Sequence, residues 1–190
     1  MKYKLALATA LLSATIFAGA ANAKTFVYCS EGSPEGFDPG MYTAGTTFDA
    51  SAHPIYNRLL EFKPGTTQPE AGLAESWDIS SDGTVYTFKL RPNVKFQTTE
   101  FFTPTRALNA DDVIFSIGRQ IDEKNAWNKY INGASWEYAD GMGFPKLIKS
   151  IEKVDDLTVK MTLNRPEAPF LANLAMPFAC LLYTSPSPRD

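Results

Sequence analysis

Residues that commonly build catalytic and metal sites are scarce in this chain of 190 residues, which has one histidine and two cysteines. His53 is the single imidazole, and a metal site needs further imidazole or thiolate ligands beside it, so no metal site is expected. Two cysteines are also too few for a small domain held together by several disulfide bonds. The composition therefore argues against a metalloenzyme and against a disulfide-rich miniprotein.

Clusters of basic residues are missing as well. The chain has 18 Lys and Arg against 21 Asp and Glu, a formal net charge of −3 and a pI near 5.3. Nucleic acids and anionic membrane surfaces are bound mainly through basic surfaces. The charge pattern therefore predicts no nucleic-acid partner.

Long apolar runs are limited to one, at the N-terminus. Lys2 and Lys4 precede "LALATALLSATIFAG", and Ala21-Asn22-Ala23 then fits the small-x-small rule for signal peptidase. This run is shorter than the roughly 20 apolar residues of a membrane helix. We predict a signal peptide over residues 1–23, cleaved after Ala23, and a soluble exported chain; an uncleaved N-terminal anchor is the alternative.

Two segments of the sequence have the alternating apolar and polar residues of β-hairpins. The first is "SWDISSDGTVYTFKL", with a turn at Ser-Asp-Gly, and the second is "SIEKVDDLTVKMTL", with a turn at Asp155-Asp156. The apolar residues of these strands are Trp77, Ile79, Tyr86, Phe88 and Leu90 in the first hairpin and Leu157, Val159, Met161 and Leu163 in the second.

Two helices are predicted between and before the hairpins. In "LNADDVIFSIGRQ", Asn109 is placed to cap a helix over about residues 110–120, with two acidic residues in its first turn. Another helix is predicted between Thr47 and Phe62, broken or restarted at Pro54, with Ile55 and Leu59 on its inner side. Helices packed on a mostly antiparallel sheet make the fold class α+β.

Catalytic motifs are weak. Ser150 and Lys153 have the Ser-x-x-Lys spacing of some acyl enzymes, but they fall in a predicted strand and lack companion motifs. Cys29 lies among apolar residues of a predicted strand over residues 25–29, where its thiol stays protonated. No catalytic residue is therefore predicted, although a secreted hydrolase with a missed or truncated site is kept as the alternative class.

Several long motifs in one order resemble a known family. "GLAESWDISSDGTVYTFKLRPNVKF", "LNADDVIFSIGR" and "RPEAPFLANLAM" are similar to the extracytoplasmic solute-binding proteins of peptide ABC transporters. "VYCSEGSPEGFDP" is similar to the dipeptide-binding branch of that family. The resemblance implies a non-enzymatic periplasmic protein without a cofactor, monomeric at full length, that delivers dipeptides or short peptides to an inner-membrane ABC transporter. Oligopeptide and haem remain alternative ligands.

The resemblance also implies that this chain is an N-terminal fragment, because proteins of the family are far longer. We expect the N-terminal part of a two-lobed, class II periplasmic-binding-protein-like fold, truncated. Residues 24–56 are expected to supply the first strand, a loop and a helix start of the main lobe, and residues 57–179 an antiparallel-sheet subdomain. Residues 180–190 stop matching the family and are predicted to be an artefactual or disordered tail.

The resemblance assigns roles to a few residues. It implies that Cys29 forms a disulfide with a cysteine beyond this chain, Cys180 being only an accidental alternative partner. It places neutral ligand contacts in "MYTAGTT" and near "ASWEY", which gives Thr43, Gly45, Thr46 and Trp136 as the predicted ligand-binding residues. Alternatively, Thr46 and Thr47 cap the next helix and Trp136 belongs to the core. The charged contacts are expected outside this chain.

Overall fold

The computed structural model describes residues 27–131 and 135–181. The chain divides into two compact units, Met1–Ser30 and Glu31–Asp190. In the first unit only residues 27–30 are described, and they are exposed and form neither helix nor strand. The predicted signal peptide lies outside the described residues, and the predicted strand over 25–29 is absent from the part that is described, residues 27–29.

The second unit mixes short helices with antiparallel strands. Its helices are α1 (Gly45–Ala50), α2 (Ala110–Ile121), α3 (Glu137–Gly141), α4 (Phe144–Leu147) and α5 (Phe170–Leu174), with 3-10 turns at Asn128–Ile131 and Pro177–Ala179. Its strands are β1 (Asn57–Arg58), β2 (Leu60–Phe62), β3 (Pro69–Ala71), β4 (Ala74–Ile79), β5 (Val85–Leu90), β6 (Ile148–Asp155), β7 (Thr158–Leu163) and β8 (Cys180–Leu181).

A four-stranded antiparallel sheet in the order β4-β5-β7-β6 organises the unit. Both predicted hairpins are confirmed, and β5 and β7 pair in its centre with Phe88 opposite Val159. The second turn falls at Asp156 and Leu157, one residue later than predicted. The predicted alternation of buried apolar and more exposed side chains is clearest in the central strands β5 and β7. Their inward side chains are all buried: Tyr86, Phe88, Leu90, Val159, Met161 and Leu163.

Helix α2 begins where the sequence predicts. The Asn109 side chain accepts a hydrogen bond from the Asp111 N–H at 3.0 Å, and the Asp112 carboxylate accepts one from the Asn109 N–H at 2.8 Å. This capping box satisfies N–H groups that have no partner within the helix. Val113 and Ile117 lie on its buried face.

The helix predicted between Thr47 and Phe62 is present only before Pro54, and the restart predicted at Pro54 is wrong. Helix α1 ends at Ala50, and residues 51–55 form turns that include Pro54. Proline lacks an N–H and disfavours helical geometry in the residue before it, so the helix does not restart there. Instead β1 pairs with β8 and β2 pairs with β3, which places Leu59 in the core while Ile55 stays 36% exposed.

One hydrophobic core joins the sheet to the helices. Trp136 of the segment before α3 is part of this core and is 2% exposed. The rings of Phe144, Phe170 and Phe178 pack with centroid separations of 5.3 to 5.8 Å. None of the described helices is long and apolar enough to cross a membrane.

The last described strand lies within the predicted tail. Cys180 and Leu181 are buried and pair with Arg58 and Asn57. Residues 182–190 lie outside the described part of the chain. The division into segments 24–56, 57–179 and 180–190 stays a prediction.

Candidate functional site

The segment before α1, residues 31–44, is here called the N-terminal loop, and it carries Thr43. Two hydrogen bonds attach its first part to α1. The Glu35 N–H donates to the Thr47 hydroxyl at 3.0 Å, and the Thr46 hydroxyl donates to the Ser33 carbonyl at 3.5 Å. The N-cap of α1 is Ala44, without a side-chain cap, so neither threonine has the capping role considered above.

Asp38 organises the middle of the N-terminal loop. Its carboxylate accepts a hydrogen bond from the Gly40 N–H at 3.1 Å, and its carbonyl accepts one from the Met41 N–H at 3.1 Å. These local bonds form a compact turn of the kind that aspartate side chains favour. The turn ends two residues before Thr43.

An ion pair joins this turn to the last turn of α2. Arg119 donates from its two terminal nitrogens to the Asp38 carboxylate oxygens at 2.6 and 2.8 Å. Its side chain is 4% exposed and that of Asp38 is 17% exposed. The geometry is bidentate, the strongest arrangement of an arginine and a carboxylate.

Trp136 forms a platform beneath Arg119. The guanidinium carbon lies 4.7 Å from the ring centroid, within the range of a cation–π contact. The indole N–H donates to the Asn128 carbonyl at 3.3 Å, and the Asn128 side chain donates to the Arg119 carbonyl at 2.9 Å. These contacts hold α2, the 3-10 turn and Trp136 together.

The N-terminal loop lies against this platform at Gly40. A Cβ on Gly40 would stand 3.1 Å from the Trp136 ring and 3.2 Å from the Gln120 side chain. Only a residue without a side chain permits such a close approach unless the neighbours move. Loop and platform are therefore in direct van der Waals contact.

The four predicted ligand-binding residues fall into two groups. Thr43 and Gly45 are exposed, Thr46 is partly exposed, and a Cβ on Gly45 would meet no atom within 4 Å. Trp136, in contrast, is 2% exposed, which agrees with the alternative interpretation of a core residue. Thr43 in the loop and Gly45 and Thr46 at the start of α1 can offer hydroxyls and open backbone to a ligand. Trp136 instead contacts Arg119.

Sequence analysis missed Asp38, Arg119 and Gln120. Gln120 follows Val113 by seven residues, on the same face of α2, so a polar residue at apolar spacing was the available signal. The pairing of Asp38 with Arg119 spans 81 residues of sequence and has no local signature.

The Ser-x-x-Lys residues do not form a catalytic pair. The Lys153 Nζ lies 2.8 Å from Asp111 Oδ2 and 2.7 Å from Asp156 Oδ1, and the hydrogen bond that it donates to Asp111 first, then the one that it donates to Asp156, raises its pKa. A lysine held in its charged form cannot accept a proton from Ser150. The Ser150 hydroxyl instead donates to Glu152 at 2.8 Å.

The two cysteines have contrasting environments. Cys29 is exposed and Cys180 is buried, and neither forms a disulfide. Burial raises the pKa of the Cys180 thiol to about 12. The disulfide implied for Cys29 stays a prediction.

An open groove of about 440 Å³ lies beside β1, β2 and β3. Its polar lining includes Glu61, Arg91 and Lys95. None of the four predicted ligand-binding residues lines this groove, so it is separate from the N-terminal loop.

Comparison with known proteins places these features in context. Residues 68–186 match the model of a family described as bacterial extracellular solute-binding proteins, family 5 middle. The chain is 56% identical over 178 residues to the dipeptide-binding protein of Escherichia coli K12, covering 94% of this chain and 33% of that protein. It is 53% identical over 154 residues to heme-binding protein A of Haemophilus influenzae, covering 81% and 28%.

A solved structure shows the same fold over the matching part. It is that of the ABC transporter-associated periplasmic binding protein DppA from Helicobacter pylori in complex with the peptide STSA. The TM-score is 0.69 at 45% identity, with 77% of this chain and 28% of that chain covered. The chain therefore spans about a third of the length of the relatives it matches.

Proposed function

Because this chain belongs to the bacterial extracellular solute-binding proteins of family 5, we propose that it is the N-terminal part of a periplasmic protein that captures dipeptides or other short peptides. The longer protein, here called the parent protein, delivers them to an inner-membrane ABC transporter. Proteins of this family are solute-binding proteins rather than enzymes. The observation that carries the proposal is the 56% identity to a dipeptide-binding protein over 94% of the chain.

In this proposal the N-terminal loop and the first turn of α1 form part of one wall of the ligand cleft. The exposed Thr43 hydroxyl and the open backbone at Gly45 contribute neutral hydrogen bonds, with Thr46 beside them. The charged contacts to the peptide termini come from the remaining two thirds of the parent protein. Enclosure between two lobes excludes water and strengthens each of these bonds.

We also propose Trp136 as a ligand contact, but of a different kind. Its ring surface is covered by the core and by Arg119, so a ligand reaches it only at an edge or after a local shift. Its contribution is therefore tested separately from that of Thr43.

Haem is the second candidate ligand, and oligopeptides are a third. The 53% identity to a heme-binding protein over 81% of this chain is the observation in favour of haem. The dipeptide-binding relative is matched over more of the chain at higher identity, which favours peptide.

Titration calorimetry of the purified parent protein tests the proposal. Micromolar or tighter binding of the dipeptide alanyl-leucine, with weaker binding of a pentapeptide and of haem, is the expected result. Haem binding without dipeptide binding would replace the proposal with the second candidate. Mass spectrometry of the exported parent protein tests the proposed periplasmic location, with a mature N-terminus at Lys24 as the expected result.

A further inference from the structure

Arg119 touches the N-terminal loop rather than the open surface on which a ligand would lie. Its side chain is 4% exposed, and its polar partners are Asp38 of the loop and, through its carbonyl, Asn128. A direct ligand contact by its guanidinium is therefore not supported. The residue acts on the loop that carries Thr43.

Stability alone is a poor explanation for this pair. Burying two charges costs several kcal/mol in desolvation, and well-packed apolar residues often replace such a pair without loss. In addition, the Arg119 Nε is buried without a hydrogen-bond partner among the described residues. An unsatisfied buried donor lowers stability further. What the pair supplies is a defined geometry, because a bidentate contact fixes both the distance and the orientation of the two groups.

The contacts run continuously from α2 to the proposed ligand contacts. The Trp136 ring supports the Arg119 guanidinium, the guanidinium holds the Asp38 carboxylate, and that carboxylate also binds the Gly40 N–H. The carbonyl of Asp38 holds the Met41 N–H, two residues before Thr43. The position of Thr43 is thereby linked to a helix that packs on strands β6 and β7 of the sheet.

We propose that Arg119 is a positioning residue for ligand binding, which holds the N-terminal loop in its binding conformation through Asp38, with Trp136 as its support. This inference rests on the proposed function. A loop that is ordered before the ligand arrives avoids the entropy cost of ordering it during binding. Loss of the ion pair is therefore expected to loosen the loop and weaken binding, while the sheet stays intact.

The test uses the parent protein and the double variant Asp38→Asn with Arg119→Met. The double change removes both charges together, so no unpaired charge is left buried, and the amide oxygen introduced at position 38 can still accept from the Gly40 N–H. A matched control is Asp111→Asn with Lys153→Met, which removes a solvent-accessible ion pair between the first turn of the same helix and β6. Arg119→Lys is a second variant that keeps the charge and loses the bidentate contact.

Hydrogen exchange of the ligand-free proteins and calorimetry with alanyl-leucine are the two measurements. In the double variant, the amides of Glu35 and Met41 are expected to exchange about tenfold faster and the dissociation constant to rise about tenfold, with β5 and β7 unchanged. Arg119→Lys is expected to give a smaller change in the same loop, and the control pair no change. If the double variant exchanges its loop amides at the wild-type rate, or exchanges amides faster throughout the sheet, the positioning role is overturned. If the wild-type parent protein binds no dipeptide, the peptide function fails, but the ligand-free exchange still decides the role of Arg119.

Discussion

Gly72 lies so close to Arg58 that a Cβ on Gly72 would stand 2.7 Å from the Arg58 carbonyl oxygen. The same Cβ would stand 3.1 Å from the Leu59 carbonyl oxygen. Both atoms belong to the backbone and cannot rotate away as a side chain can. Gly72 thus allows the chain after β3 to pass against Arg58 at the end of β1 and Leu59 after it.

Gly72→Ala is therefore expected to lower the free energy of unfolding by about 1 to 3 kcal/mol, because the backbone must shift to relieve the overlap. Gly141→Ala is the matched control, since a Cβ there would meet no atom within 4 Å and Gly141 lies in α3. The control is expected to be neutral or slightly stabilising, as alanine is favoured over glycine in helices. Urea denaturation of the parent protein measures both variants, and equal midpoints would contradict the packing explanation.

Each of the two hairpin turns has an aspartate whose hydrogen bonds make stability depend on pH in the acid range. Asp82 accepts hydrogen bonds from the Ser80 hydroxyl and the Thr84 N–H, and Asp155 accepts them from the Thr158 hydroxyl and the Leu157 N–H. In each case the hydrogen bond from the hydroxyl first and then that from the backbone N–H lower the carboxyl pKa from its ordinary value. These bonds favour the charged carboxylate.

Because both pKa values are lowered on folding, the unfolded state binds protons more readily, and acid favours unfolding. The contribution of these turns is fully present above the unfolded pKa and is lost as pH falls through the folded pKa. The free energy of unfolding is thus expected to decrease as the pH is lowered below about 4. The double variant Asp82→Asn and Asp155→Asn is expected to show a flatter dependence in urea denaturation between about pH 3 and 6. Ser80→Ala with Thr158→Ala should flatten it too; slopes equal to wild type in both double variants would disprove this origin.

The two thiols are expected to differ in reactivity. Burial raises the pKa of Cys180 to about 12, so at pH 8 its thiol is almost entirely protonated, and only a thiolate reacts with iodoacetamide. Cys29 is exposed. Mass spectrometry after brief labelling of this chain should find Cys29 modified and Cys180 modified only in urea. Equal labelling of both without urea would show that Cys180 is accessible. In the parent protein, the disulfide predicted for Cys29 should block its labelling until a reductant is added.

Thr43→Ala is expected to weaken dipeptide binding by the parent protein about two- to tenfold, the effect of losing one neutral hydrogen bond. Ser150→Ala is the control, because Ser150 lies in β6 and donates to Glu152. It is expected to leave the dissociation constant unchanged. Trp136→Ala should also weaken binding, but its burial predicts a lower unfolding temperature as well. Calorimetry on the three variants measures these effects, and loss of binding in Ser150→Ala alone would contradict the proposed site.

The chain by itself is expected not to bind dipeptide measurably. Hydrogen bonds to charged groups contribute roughly 1.5 to 3 kcal/mol each, so loss of both terminal contacts removes about 3 to 6 kcal/mol. This corresponds to a weakening of about a hundredfold to ten-thousandfold. Calorimetry of the chain, after circular dichroism has shown it to be folded, checks the expectation. Micromolar binding would place the main ligand contacts within these residues.

Local sequence patterns predicted the parts of the fold that depend on neighbouring residues. The side-chain hydrogen bonds of Asp82 and Asp155 at the hairpin turns and of Asn109 at the helix cap join groups within three residues of each other, so each is visible in a short stretch of sequence. The segment around Pro54 failed for the opposite reason. The spacing of its apolar residues predicted a helix, but the residues after Pro54 form strand β1 instead. This strand pairs with β8, which lies more than a hundred residues away in the sequence.

The candidate site likewise depends on contacts between residues far apart in the sequence, which local patterns do not reveal. The α+β class, the two hairpins and helix α2 could be predicted from local patterns, because turn chemistry, capping and apolar periodicity act over a few residues. The family was indicated by the resemblance of several long motifs in one order. The contact of Trp136 with Arg119 and the pairing of Arg119 with Asp38 are visible only in the folded structure. Those contacts join residues far apart in the chain, and a buried ion pair forms only where the packing of the whole core brings both charges together and excludes water.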